Sequence, residues 1–464
     1  VKIPFGTQAY KHKSLTLSAQ RCINLYAEQQ PQDAKEAVAL LWAPGLPLYQ
    51  AVGAGPIRGL MFMRNFLYVV SGTRLIRVAN SGATLDLGEI PGVGLVQMAN
   101  DGTNIVILSG PESDQAYVAT QSTLTQITDS DFPGASDVAW MDGYFVFIKP
   151  DSNQFFLSEL NDPTDYDATQ IATAEGSPED LIGLIVDHRE LWLMKEGPGT
   201  EVWYNSGASP FPFERATGAY LERGCASKKA ITKLDNSVFW VGDDGVVYRA
   251  EGYSPRRVST HAIEQQISKN GTADIVAFSY TDEGHPFYVL KKPGVFTFVY
   301  DVATELWHER VSYQRDDYRV STYCFAFDKH IVGDDANNKL YVLDPDDVTG
   351  EDGDTVIATV TGSPLWAEGN RFTLKSLLID FEHGAGLTTG QGSDPQVMLR
   401  FSRDGGHSWG PEKWRDLGKK GKYNTRCLWR RFGTMRQGLP EISISDPIPR
   451  VVIGAYADVV QGSL

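Results

Sequence analysis

Hydrophobic and polar positions between Ile57 and Pro364 repeat one phrase about seven times. An apolar strand runs into a polar turn, a second apolar or aromatic strand follows, and a third carries an aromatic near its middle. The turns are Arg64-Asn65, Asn100-Asp101-Gly102, Asp142-Gly143, Asp187-His188-Arg189, Asp235-Asn236, Asp282-Glu283-Gly284 and Asp328-Lys329. Behind them, second strands are predicted at 66–70, 105–108, 144–148, 191–194, 238–241, 287–290 and 330–332. Third strands are predicted at 74–78, 115–119, 154–157, 201–204, 246–249, 296–300 and 339–343. A period of roughly 37–48 residues with three or four strands per unit is the arithmetic of a β-propeller blade. The pattern predicts seven blades, with six as the alternative if one unit is a degenerate insertion.

The chain before the repeats reads as extended, with a polar interruption from Gln29 to Glu36. Rings of this kind commonly close by lending an N-terminal strand to the last blade, which removes an exposed edge. The region around Leu48 is therefore expected to pair with the strand at 339–343. An acidic run at 344–354 breaks the repeat. Its aspartates miss the spacing of a calcium-binding loop, so a solvated linker is preferred over a metal site. Beyond it, strands at 356–361, 373–381, 397–402, 427–432, 441–445 and 450–460 predict a small β-sandwich. The fold class is thus all-β. Its domains are an N-terminal segment with the ring-closing strand (1–56), a propeller (57–345) and a C-terminal sandwich-like domain (346–464). One short amphipathic helix is predicted at 260–269.

Composition permits a large core: 42% of the 464 residues are hydrophobic and 22% are charged. The net charge of −16 argues against broad adhesion to nucleic acid or acidic membranes. No apolar run is long enough for a membrane-spanning helix, and no secretory signal is visible near Val1. Cys22, Cys225, Cys324 and Cys427 show no metal or redox spacing and are expected as reduced, mostly buried thiols. The eight histidines are scattered, and no phosphate loop, dinucleotide loop or nucleophile elbow occurs. No cofactor, metal or catalytic residue is assigned, and an enzymatic role is not expected.

Two local features stand out. Ser402-Arg403-Asp404-Gly405-Gly406-His407-Ser408-Trp409 matches the S-x-D-x-G-x-[ST]-W pattern of an Asp-box. Ser402, Asp404, Gly406, Ser408 and Trp409 are read as a folded hairpin, with the carboxylate accepting turn N–H groups. The box also supports an alternative function, a glycan-binding or sialidase-like propeller. The second feature is charge. Between Pro411 and Gln437, nine basic residues against two acidic ones give +7, which leaves −23 for the remainder. Lys419, Lys420, Lys422, Arg426, Arg430, Arg431 and Arg436 are the partner-interface candidates, with Lys413 and Arg415 beside them. The competing reading is a solvated hairpin whose arginines pair with the sandwich's own carboxylates.

Several segments resemble a virion family: the tail accessory factor, tail hub or packaged-DNA stabilisation protein of short-tailed bacteriophages. The segments are Ile23-Asn24-Leu25-Tyr26-Ala27-Glu28, Pro44-Gly45-Leu46, Ile57-Arg58-Gly59 and the run from Phe155 to Thr164. They continue with Asp187-His188-Arg189-Glu190-Leu191-Trp192-Leu193, Glu201 to Gly207, Phe213-Glu214-Arg215 and Gly224-Cys225. Ser237-Val238-Phe239-Trp240, Ser259 to Glu264 and the basic Leu428-Trp429-Arg430-Arg431 segment complete the order. The resemblance implies a structural protein of the head-to-tail connector, working in the virion after assembly in the host cytoplasm. It further implies a homo-hexameric ring beneath the portal and its adaptor protein, extending the DNA channel and retaining the packaged genome. DNA would pass through the lumen without specific binding, and a tail needle or nozzle and tailspike or fibre proteins would attach; no membrane partner is implied. The chain departs from the family at 111–114 and 348–355.

Overall fold

In a computed structural model of the chain, residues 1–3, 5–110, 115–348 and 350–462 are described. The first of the two departures from the family, at 111–114, lies outside the described residues, as does residue 349 of the second.

Seven four-stranded antiparallel units follow one another, with their strands lying within 57–89, 97–126, 137–173, 181–221, 232–257, 276–309 and, for the seventh, 320–342 plus Leu48–Ala51. We call them blades one to seven. The innermost strand of blade seven, Val320–Ala326, packs against that of blade one, Ile57–Met63, so the ring is closed. The closing strand Leu48–Ala51 pairs antiparallel with Lys339–Val342, Lys339 facing Ala51 and Leu340 facing Gln50. The seventh blade thus takes three strands from the end of the repeat and one from before its start.

Alternation explains why blades stack. The middle strands, such as Ile105–Leu108 and Phe66–Ser71, are buried on both faces because each face meets a neighbouring blade. Among the described residues seven apolar clusters result, one between each pair of adjacent blades. The hairpins joining first to second strands turn through consecutive left-handed residues in six blades: Arg64/Asn65, Asp142/Gly143, His188/Arg189, Asp235/Asn236, Glu283/Gly284 and Phe327/Asp328. That backbone suits the twist of a two-residue hairpin. In blade seven the turn falls one residue earlier than the polar pattern suggested. Several turn side chains reach the next blade: Arg64 Nε donates to the Gly102 carbonyl at 2.6 Å, and Arg189 meets Asp142 at 3.0 Å. The predicted helix spans His261–Asn270 and buries Ile263 and Ile267 between blades five and six.

The remaining strands form a sandwich with its own core around Leu374, Leu377, Ile379, Trp429 and Ile442. One sheet has the order Cys427–Met435, Phe372–Phe381, Val452–Gln461, Val38–Trp42, Leu25–Gln29, with Lys2–Ile3 also on Val452–Gln461. The other runs Ala19–Ile23, Ala358–Thr361, Gln437–Ile444, Gln396–Ser402, Lys413–Asp416. Residues 1–56, expected to be an extended segment with a closing strand, therefore also supply five strands to the sandwich sheets, Tyr10–Lys11 pairing with Ala19–Ile23. Leu25, Ala27 and Leu40 bury in its core, a gain an isolated extended segment could not make. Ile23 bridges Glu309 in the outer strand of blade six, so propeller and sandwich share a continuous sheet.

The acidic run is not a solvated linker. Asp344 bridges Gly45, and Glu351 bridges Leu46. Asp354 meets Arg319 at 3.0 Å, and Asp352 pairs with Lys339. Glu351 is buried near Arg310 and Arg319, and burial holds its carboxyl above the usual range. These cations come from blades six and seven, so the run is fastened where the ring closes.

Candidate functional site

On one flank of the sandwich both sheets end in an open strand: Lys413–Asp416 in one and Cys427–Met435 in the other. Side chains lace the two edges together. Trp429 Nε1 donates to the Lys413 carbonyl at 2.7 Å, Arg415 Nε to the Leu428 carbonyl at 2.8 Å, and the Cys427 thiol to the Asp416 carbonyl at 3.4 Å. Both edges are thereby held without a further strand.

This flank carries the basic strip. Arg415, Lys419, Lys420, Lys422, Arg426, Arg430, Arg431 and Arg436 are exposed, and Lys413 is half-buried over the Phe432 ring. Internal pairing does not neutralise them. Among the described residues the strip makes one ion pair, Lys419 to Asp394 at 3.3 Å, and both partners are more than half exposed. Such a pair contributes roughly 0–1 kcal/mol. Arg436 donates to the Gly369 carbonyl, whereas the side chains of Lys422, Arg426, Arg430 and Arg431 make no hydrogen bond or ion pair among the described residues. The reading in which the sandwich's carboxylates absorb the charge is therefore not what the structure shows. Trp414 and Tyr423, 49% and 74% exposed, sit among the cations. Edge strands rich in Lys and Arg also resist edge-to-edge aggregation, and a bulge at Arg431 (φ +68°) and Gly433 (φ +81°) reinforces that. Deterring aggregation accounts for charge on the strands, but not for Lys419, Lys420 and Lys422 in the loop between them.

The Asp-box joins Gln396–Ser402 to Lys413–Asp416. Asp404 accepts from Ser402 Oγ at 2.7 Å, from the Ser408 amide at 2.9 Å and from Ser408 Oγ at 2.5 Å. Ser402 Oγ in turn accepts the Gly406 amide at 2.8 Å. These bonds hold the carboxylate well below its ordinary range. Trp409 is half-buried beside Phe401 and Phe432, with the Arg400 guanidinium 4.8 Å above its ring. The carboxylate is spent on its own hairpin.

The propeller's central channel contains a cavity of about 580 Å³ bordered by Arg58, Met61, Gln97, Lys228, Lys229 and Tyr323. Arg58 donates to five backbone carbonyls, those of Gly94, Gly72, Ile90, Pro91 and Ser109. Asp137 is buried and accepts the Val138 and Leu184 amides at 3.0 Å, while burial pushes its carboxyl up to about 6. These contacts tie adjacent blades. Among the described residues no three His, Cys, Asp or Glu side chains cluster to hold a metal. No helix there is long and apolar enough to cross a membrane.

Sequence reasoning missed two features. The first is a charged latch between sandwich and propeller. His285 of blade six contacts Asp301 at 2.9 Å through Nδ1 and Glu28, on the sandwich strand Leu25–Gln29, at 2.5 Å through Nε2. Hydrogen bonding to Asp301, then to Glu28, outweighs burial and raises the imidazole to about 9. Glu28 and His285 lie 257 positions apart, and no local pattern joins them. The second is an acidic sector. Residues 151–222, spanning blades three and four, hold fourteen acidic and three basic residues, a net −11. Composition alone could have found this sector, had charge been counted blade by blade.

Two family models match nearly the whole chain. One, described as "Bacteriophage P22 Gp10, beta-propeller", matches residues 1–348, and the other, "Bacteriophage P22 Gp10, beta-sandwich", matches residues 359–459. No curated protein matches. Among solved structures, the computationally designed Ika8 protein is 15% identical, with a TM-score of 0.40 over 70% of this chain and 99% of its own. The extracellular domain of the BT4673 one-component system from B. thetaiotaomicron is 8% identical, with a TM-score of 0.45 over 86% of this chain and 58% of its own. Neither likeness is close enough to carry an argument.

Proposed function

This chain belongs to the family of bacteriophage P22 Gp10 in both its propeller and its sandwich, and from that premise we propose that this phage tail protein is the hub of the head-to-tail connector. Copies of it form a six-membered ring under the portal and its adaptor. The ring extends the DNA channel, retains the packaged genome and anchors the needle or nozzle and the spikes or fibres.

The observation that supports this reading best is the pairing of a rigid closed ring with an unneutralised basic flank. Seven interlocked blades give a stiff wall, and the flank offers exposed cations and aromatics to an acidic protein surface. An acidic bulk toward the lumen would let DNA slide past without gripping its phosphates. Exchange of Arg430, Arg431 and Arg436 for Glu is expected to block incorporation of the chain into reconstituted particles. Normal incorporation would remove the flank from the docking role. Electron microscopy of the parent particle tests the hub itself, since six-fold density between portal and tail tip should fit this chain.

A further inference from the structure

We propose that the partner of the basic flank is a second copy of this chain, which it meets at the acidic sector on blades three and four. The inference rests on the ring reading above and adds which surfaces touch.

Charge points to the match. The strip carries +7 and the sector −11, in a chain whose total is −16. The strip makes one exposed ion pair, and in the sector Glu201 and Asp187 are the carboxylates that meet cations among the described residues, Glu201 with Lys195 and Arg215 and Asp187 with His188. In the connection 158–170 of blade three, Asp162, Asp165 and Asp167 are exposed, and none forms an ion pair among the described residues. Asp162 and Asp167 each accept from a threonine two positions on, which fixes the loop without cancelling its charge. Tyr166 is buried between them and stacks edge-on with Phe132 at 4.9 Å, so the loop is anchored to the blade. Leu160 in the same loop is 54% exposed, giving the acidic side an apolar contact for Trp414 or Tyr423.

Placement decides what such a contact builds. The sandwich joins the sheet of blade six, and in a seven-blade ring blade three stands three steps away, as far round as any blade can be. The sandwich and the acidic loop are therefore attached on opposite sides of the ring. A contact between unlike surfaces on opposite sides is heterologous, and its repetition closes into a ring when the rotation per copy permits. Two like-charged flanks would repel, which disfavours a two-fold dimer through this surface.

The test uses two full-length variants. One carries Lys419→Glu, Lys420→Glu, Lys422→Glu, Arg426→Glu, Arg430→Glu and Arg431→Glu, which takes the strip from +7 to −5; the other carries Asp162→Lys, Asp165→Lys and Asp167→Lys, which takes the connection 158–170 from −4 to +2. These residues are exposed, and circular dichroism is the check that both variants fold. Self-association is followed by sedimentation at low salt, where charge attraction is least screened. Each variant alone should associate at least about tenfold more weakly than the natural chain, since each sets like charges against one another. Mixed in equal amounts they should recover association to within about threefold, because every contact in an alternating ring is again complementary. The contact is overturned if either variant associates like the natural chain, if mixing restores nothing, or if the natural chain stays monomeric when concentrated at low salt. Unchanged self-association with lost binding to the adaptor would assign the flank to that protein instead, and overturn this contact. The tail role fails on separate evidence, namely absence of the chain from the tail of intact particles.

Discussion

Replacing His285 with Asn should loosen the sandwich from the propeller by an amount that depends on pH. In the folded chain the imidazole titrates at about 9, against 6.5 when unpaired, because Asp301 and then Glu28 favour its charged form. A raised folded value means that the contribution is fully present below about 6.5 and is lost as pH rises through about 9. The shift of two and a half units corresponds to about 3 kcal/mol at 1.36 kcal/mol per unit. The side chain of Glu28 is 32% exposed against 8% for His285, so solvent screens that half of the latch and about 2 kcal/mol is the better expectation. Neighbouring His308 stays neutral throughout the range, since burial depresses it to about 3. The assay is urea unfolding of the natural chain and the His285→Asn variant at pH 6 and pH 10. Subtracting one from the other removes the titration of groups common to both. The natural chain should exceed the variant by about 2 kcal/mol more at pH 6 than at pH 10. An equal difference at the two pH values would refute the charged latch and leave His285 a packing residue.

Arg58→Ala should destabilise the junction of blades one and two by at least about 3 kcal/mol, because several buried carbonyls lose their donor. Arg58→Lys should recover only part of that loss, as thermal unfolding of both variants would show. Leu340→Ala, at a fully buried position of blade seven facing blade one, should cost about 2–5 kcal/mol in denaturant unfolding. Asp404→Ala should speed hydrogen exchange at the Ser408 amide, which loses its acceptor, and at the Gly406 amide, whose acceptor Ser402 Oγ is no longer held by the carboxylate, while leaving the sandwich core protected. Trp429→Phe keeps the buried ring but removes the donor to the Lys413 carbonyl. Faster exchange along Lys413–Asp416, with stability reduced by about 1 kcal/mol, is the expected result.

The blades were legible in the sequence because a β-strand advertises itself locally. Period-two or all-apolar runs and the polar turns between them are set by near neighbours, so positions such as 105–108 and 144–148 could be placed without a partner in view. The closing strand around Leu48 was reachable for a related reason, since an open ring must hide its edges. The flank's excess of charge was likewise visible, because charge is counted along the chain.

Only the tertiary structure decided what those pieces meet. It placed Leu25–Gln29 and Val38–Trp42 in the sandwich, because the C-terminal strands alone leave their core open to water. It turned the acidic run from a presumed linker into a clasp, because Arg319 and Lys339 stand where that run passes. It brought Glu28 to His285 across 257 residues, and showed that the flank's arginines find almost no carboxylate at home. Sequence pattern fixes which face of a strand is apolar, through forces acting between near neighbours. Which distant charge neutralises which depends on how the closed ring and the sandwich are joined, and that is a property of the whole fold.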